Sequence, residues 1–203
     1  DNWADLVVAN GFFDRAGITL LSDVYENTSY GPLKRALVKV DMEETFHLRH
    51  GEVWMRRLSK AGGEAKDMLQ RSVDWMFPMT VEWFGLPDDM KRHSGQLDFR
   101  LKGLTNDELR QVWMASTVPL CEQLGLKAPA HWDEAEEKYV LEYPFPCEYD
   151  HEAKVWLTDE GEISWDQVFE RWKGRGPMNE IYVESVQRSR SEVGGWLAAE
   201  VAA

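Results

Sequence analysis

Cysteine is scarce in this chain: Cys121 and Cys147 are the only two, and they stand far apart. That excludes a disulfide framework and a cysteine metal knuckle, so both read as reduced thiols of a cytoplasmic protein. No stretch approaches the roughly 18 consecutive apolar residues of a membrane span, and no signal peptide is visible. Basic side chains are outnumbered, with 23 Lys and Arg against 36 Asp and Glu and a formal net charge of −13. Nucleic acid and anionic membrane are therefore excluded as partners of the chain as a whole. Internal repeats and low-complexity segments are missing too. From Leu33 to about Lys60 there is no proline, and Gly51 is the only glycine. Nothing in that stretch interrupts a helix long enough to cross a bundle.

What is present fits a packed globular protein. Hydrophobic residues make up 43% of the 203 positions, and ten are Trp, which implies large buried surfaces or subunit contacts. Residues 3 to about 25 and 33 to about 60 read as an antiparallel helix pair. The turn between them is written as Asn27-Thr-Ser-Tyr-Gly-Pro32, with Pro32 near the start of the second helix. Ala61-Gly-Gly-Glu64 breaks that helix. Residues 65–84 form the next, kinked or interrupted at Pro78, and a short helix follows from Asp88 to about Ser94. Thr105 and Glu108 have capping-box spacing and open a helix that ends near Gly125, with Pro119 as a second kink.

After Pro129 the character changes. Residues 139–147 and 153–158 read as extended arms or a small hairpin, because Pro144 and Pro146 forbid a helix. A short helix from Ser164 to about Trp172, a basic turn over 173–177 and a last helix from Met178 to about Ala199 complete the chain. The expected fold class is all-α: a ferritin-like helical bundle over 1–128, with an irregular C-terminal region over 129–203. The chain starts at Asp1 and enters a helix almost at once, which reads as a protein whose N-terminal helices are missing.

The most informative local pattern lies in Asp41-Met-Glu-Glu-Thr-Phe-His-Leu-Arg-His50. Glu44 and His47 are three apart and share one helix face, so a carboxylate and an imidazole can reach one metal ion. In di-iron four-helix bundles, such a Glu-x-x-His pair joins a lone carboxylate from a neighbouring helix to make half of the ligand set. Asp14 is that carboxylate. It stands in a run that is apolar on nearly every side, where an ionised group needs a partner or a metal. The 30 residues between Asp14 and Glu44 suit a climb up one helix and a return down the next. An ordinary polar pair on a helix surface is the competing reading, and Glu43, four residues from His47, competes with Glu44. His50 is read as an outer-layer or surface residue, and Asp14 paired to Arg15 is a further alternative.

Three other patterns weigh less. Glu148-Tyr-Asp-His151 has the same spacing but follows Pro144 and Pro146, so the shared-face argument fails and a solvated turn is expected. Arg171-Trp-Lys-Gly-Arg-Gly176 has the basic and glycine content to hold phosphate, though a solvated turn or interface is the commoner use. Trp75, Met76, Met79 and Trp83 form a stripe read as core packing.

Longer segments carry a family likeness: Trp3-Ala-Asp-Leu-Val7, Tyr30-Gly-Pro-Leu-Lys34, Val40 to Gly51, Glu82-Trp-Phe-Gly-Leu-Pro87, Arg100-Leu-Lys-Gly-Leu-Thr-Asn-Asp107 and Trp172-Lys-Gly-Arg-Gly-Pro-Met-Asn179. Through them the chain resembles the catalytic A subunits of bacterial phenylacetyl-CoA epoxidases, over almost its whole length. The resemblance implies a ferritin-like catalytic subunit with a carboxylate-bridged di-iron centre. Such subunits activate O2 and place one oxygen atom across the ring of phenylacetyl-CoA. It also implies electrons from NADPH through a separate flavin and 2Fe-2S reductase, and association with the B subunit plus the non-catalytic C subunit. Asp14, Glu44 and His47 would be the iron ligands of the second half-site. The first half, another carboxylate and another Glu-x-x-His, is expected upstream of Asp1, so the chain alone is expected to be inactive. A relative acting on another aryl-CoA such as benzoyl-CoA, a scaffold subunit without metal, and an iron store are the alternatives.

Overall fold

A computed structural model describes residues 2–91, 95–174, 184–189 and 191. Its contacts divide the chain into two compact units, Asp1–Gly161 and Glu162–Ala203. The first opens with helix α1 (Trp3–Asn27), started by Asn2, whose side chain accepts from the Asp5 N–H while the Asp5 carboxylate accepts from the Asn2 N–H. This reciprocal cap satisfies two otherwise orphaned donors. Helix α2 (Gly31–Ala61) begins with proline in its first turn, where the missing N–H costs nothing. Gly62 stops it at φ 68°, a left-handed conformation that glycine adopts without steric cost, and the chain turns into α3 (Gly63–Trp83).

A single 3-10 turn covers Asp88–Met90. It is shorter than the expected helix to Ser94, and residues 92–94 lie outside the described residues. After α4 (Gly95–Asp98), the expected capping box at Thr105 and Glu108 starts α5 (Asn106–Gln123). Pro78 and Pro119 sit within α3 and α5, which are continuous helices through both positions.

Four helices of this unit alternate in direction. Asp14 of α1 lies level with Glu44 of α2, and the Asp5 carboxylate accepts from Ser72 and Trp75 of α3 at 2.8 and 3.2 Å. Arg110 of α5 donates to the Val81 carbonyl at 3.1 Å, at the far end of α3. The core gathers Val7, Val8 and Phe12 of α1 with Val73, Phe77 and Val81 of α3 and Leu109 and Trp113 of α5. Trp113 is fully buried against Phe12 and Phe77, at ring separations of 5.7 and 4.9 Å. Its indole N–H donates to the Phe12 carbonyl at 3.1 Å, so its one polar atom is satisfied inside the core.

The stripe read as core divides in two. Met76 is buried, but Trp83 is 45% exposed, because it lies one position past the inward face marked by Val81 and Glu82. Helix α2 contributes only Leu37, Gly51 and Met55 as buried residues; most of its circumference is open.

Beyond α5 the chain forms two small antiparallel hairpins within the same unit. Strand β1 (Ala130–Asp133) pairs with β2 (Lys138–Leu141), and β3 (Tyr149–Asp150) with β4 (Val155–Trp156). The extended character expected after Pro129 is therefore two hairpins, and strand β1 at His131-Trp132 carries no clear sequence signal. In the second unit, α6 (Trp165–Gly174) runs through Lys173 and Gly174, which the sequence pattern assigns to a turn. Along it Trp165, Phe169 and Trp172 stack at 5.9 and 5.6 Å. Residues 184–189 are helical; the rest of the expected last helix, and the part of the basic turn past Gly174, lie outside the described residues.

Candidate metal centre

Two glycines set the distance between α1 and α2. A Cβ on Gly51 would stand 2.5 Å from the Gly11 nitrogen and 2.8 Å from the Asn10 carbonyl carbon. No side chain fits there, so the two backbones touch. Asp14 lies three residues after Gly11 and His47 four residues before Gly51. In an antiparallel pair both steps move one turn in the same direction, which carries the two side chains to a common level. One turn is also the span between Glu44 and His47. Gly51, in the sequence a mere exception to helical composition, is what brings the ligand candidates together.

The three expected side chains converge. One donor atom from each of Asp14, Glu44 and His47 lies within 4.8 Å of the others, the only such group of three found among the described residues. The Nδ1 of His47 is 3.5 Å from Oε2 of Glu44. Glu43 is exposed, 3.7 Å from Lys39 and outside the group of three. Arg15 pairs not with Asp14 but with Glu52 of α2, beside Gly51. His50 sits edge-on to Trp3 at 6.0 Å and beside Trp54 at 6.5 Å, in an aromatic cluster one turn further along.

The electrostatics are those of a site short of positive charge. Burial raises the pKa of Asp14 above the ordinary carboxylate range, the nearby Glu44 carboxylate raises it further, and His47 offsets part of this. Two carboxylates held close in a half-buried place favour protonation of one, unless a cation joins them. Oxygen from two carboxylates and nitrogen from one imidazole form a donor set suited to iron. The residues present therefore fit an iron ion. The His47 side chain remains 58% exposed and Glu44 27% exposed, so the group opens to one side.

The remaining candidates do not converge on a metal. Glu148 and His151 flank strand β3, and the His151 ring, in the turn of the β3–β4 hairpin, packs on Tyr149 at 4.9 Å, as expected for a turn and not a shared helix face. Both cysteines are buried and neither is in a disulfide, and burial pushes the Cys121 thiol up to about 12, so it stays protonated and unreactive. Of the basic glycine-containing run, residues 171–174 belong to α6 and 175–176 lie outside the described residues.

A carboxylate role that sequence reasoning missed is Asp23. It is buried, and its Oδ2 accepts from the N–H groups of Gly103 and Leu104 at 2.9 and 3.2 Å. It ties the end of α1 to the segment before α5. An acidic residue following the apolar run Ile18-Thr-Leu-Leu21 was the available signal.

Residues 1–165 match the phenylacetic acid catabolic protein family. The chain belongs to that family. Among curated relatives, the A subunit of 1,2-phenylacetyl-CoA epoxidase from Escherichia coli (strain K12) is 32% identical over 200 residues. The alignment takes in 97% of the chain and 58% of that relative, so the chain spans rather more than half the relative's length. The expected all-α, ferritin-like class agrees with the family and with the four alternating helices. No helix among the described residues is long and apolar enough to cross a membrane.

Proposed function

We propose that this chain belongs to the catalytic subunit of a multicomponent di-iron oxygenase, one that epoxidises the aromatic ring of phenylacetyl-CoA in aerobic phenylacetate degradation. The observation that carries the reading is the convergence of Asp14, Glu44 and His47 within 4.8 Å at the glycine-mediated contact of α1 and α2. Family membership and the likeness to a catalytic epoxidase chain support it.

In this reading Asp14, Glu44 and His47 hold iron, and a second carboxylate and Glu-x-x-His from the rest of the subunit complete the pair. The bound iron pair supplies the reductive activation of O2 that an unreactive ring demands. Everything else falls to the protein. Asp14 and Glu44 would neutralise the cationic charge, and His47 would complete the donor set from α2. The CoA portion of the substrate supplies binding energy remote from the reacting carbons, which positions the ring. Electrons come from NADPH through a separate flavin and 2Fe-2S reductase. Its companions in the cytoplasm are the B subunit plus the non-catalytic C subunit.

The test is His47→Ala in the full-length protein assembled with its companions. Epoxide formation from phenylacetyl-CoA, followed by mass spectrometry, falls to background, and iron content drops while the assembly elutes unchanged. Retained epoxidation overturns the proposal. Turnover on phenylacetyl-CoA against benzoyl-CoA fixes the thioester.

A further inference from the structure

The glycine contact sets how close α1 and α2 come, but not how each helix is turned about its own axis. One residue corresponds to a turn of about 100° around a helix. Asp14 therefore meets Glu44 and His47 at one rotation of α1 against α2 and loses them at others. The side chain packed on Gly11 is Met55, an unbranched thioether that adapts to small turns of its neighbours. The rotation needs a stiffer anchor.

Arg15 and Glu52 supply one. Arg15 follows Asp14 on α1, and Glu52 follows Gly51 on α2. The Arg15 Nε donates to the Gly11 carbonyl at 3.2 Å, and its Nη2 donates to Oε1 of Glu52. One guanidinium thus joins the backbone of α1, at its closest approach, to a carboxylate of α2. The Arg15 side chain is 11% exposed and that of Glu52 32% exposed. Such a pair resists breaking, because the partner left behind is a poorly solvated charge. The rigid guanidinium fork also restricts the directions from which a carboxylate can be held.

The pair directs charge as well. Neighbours in sequence do not share a helix face. Gly11 projects between Asp14 and Arg15, about 60° around the helix from the first and about 40° from the second. The guanidinium is committed to Gly11 and Glu52, away from the carboxylate beside it in the sequence. On the strength of the proposed metal site, we infer that Arg15 and Glu52 are its positioning residues. Their ion pair fixes the rotation at which Asp14, Glu44 and His47 share one ion, and it keeps the guanidinium from neutralising Asp14 in the metal's place.

The test is a Co(II) titration of the iron-free, full-length protein assembled with its companions, followed by visible absorption. The parent is compared with Arg15→Ala, Glu52→Ala and the double variant. Each single change is expected to weaken Co(II) affinity by about 10- to 100-fold, the range for groups that orient metal ligands. Each should also shift the d–d bands, which report the ligand arrangement. Glu52→Ala should be the worse of the two, since it frees the guanidinium to compete for Asp14. The double variant should lie nearer Arg15→Ala, with a loss smaller than the product of the single losses. It leaves neither charge alone, which keeps the test decisive if a single variant fails to fold. Variants that unfold earlier in urea but keep the parent's affinity and bands would overturn the inference and leave the metal reading standing. A parent that takes up no Co(II) would overturn both.

Discussion

At the scale of single residues, Asp14 sets a tension between stability and metal binding. Its pKa is raised by burial and by Glu44, so keeping it ionised costs the metal-free fold. An acid whose folded pKa exceeds its unfolded value favours the fold when protonated, and that contribution disappears as pH rises through the folded pKa. Asp14→Asn should therefore raise the melting temperature of the metal-free protein at pH 7. The two proteins should converge below about pH 4, near the ordinary carboxylate pKa. With iron added, the order should reverse, because the variant lacks a ligand. Melting curves at both pH values, with and without Fe(II), check this. A variant less stable at pH 7 without metal would contradict the electrostatic account. The spacing pointed to His47 and a glutamate one turn before it, but not to which: Glu43 and Glu44 both fall within a turn of His47, and only the direction of α1 separates them.

At the scale of elements, the α1–α2 pair depends on Gly51. Its hydrogen points into the backbone of Asn10 and Gly11, where a methyl group has no space. Gly51→Ala should push the helices apart and cost about 1–3 kcal/mol by overpacking, less any gain in helix propensity. The same separation should weaken metal binding, although the residue touches no metal. Urea unfolding and a Co(II) titration read the two effects, and they should move together. Unchanged affinity would mean that the contact does not set the ligand geometry. Helices and caps were legible because periodicity, Thr105 with Glu108, and Gly62 are local signals. The two hairpins were legible only as extended arms or a small hairpin, because partner and register are set by contacts the sequence does not spell out. The pairing of Ala130 with Leu141 is one such case.

At the scale of the molecule, the core and most of the candidate site are carried by different helices. Phe12, Phe77 and Trp113 join α1, α3 and α5, whereas α2 carries two of the three ligand candidates and remains largely open. Trp113→Ala should cost about 3–5 kcal/mol in urea unfolding. The ligand residues, near the surface, should tolerate substitution with small changes in stability. That division was partly visible in the sequence: α1 is apolar on nearly every side, whereas α2 mixes its charges around the whole circumference. The most direct test of the whole account is diffraction at the iron absorption edge from crystals of the longest natural form grown with Fe(II). An anomalous peak bound by Asp14, Glu44 and His47 is the predicted result. An iron peak elsewhere, with these three side chains unligated, would contradict it.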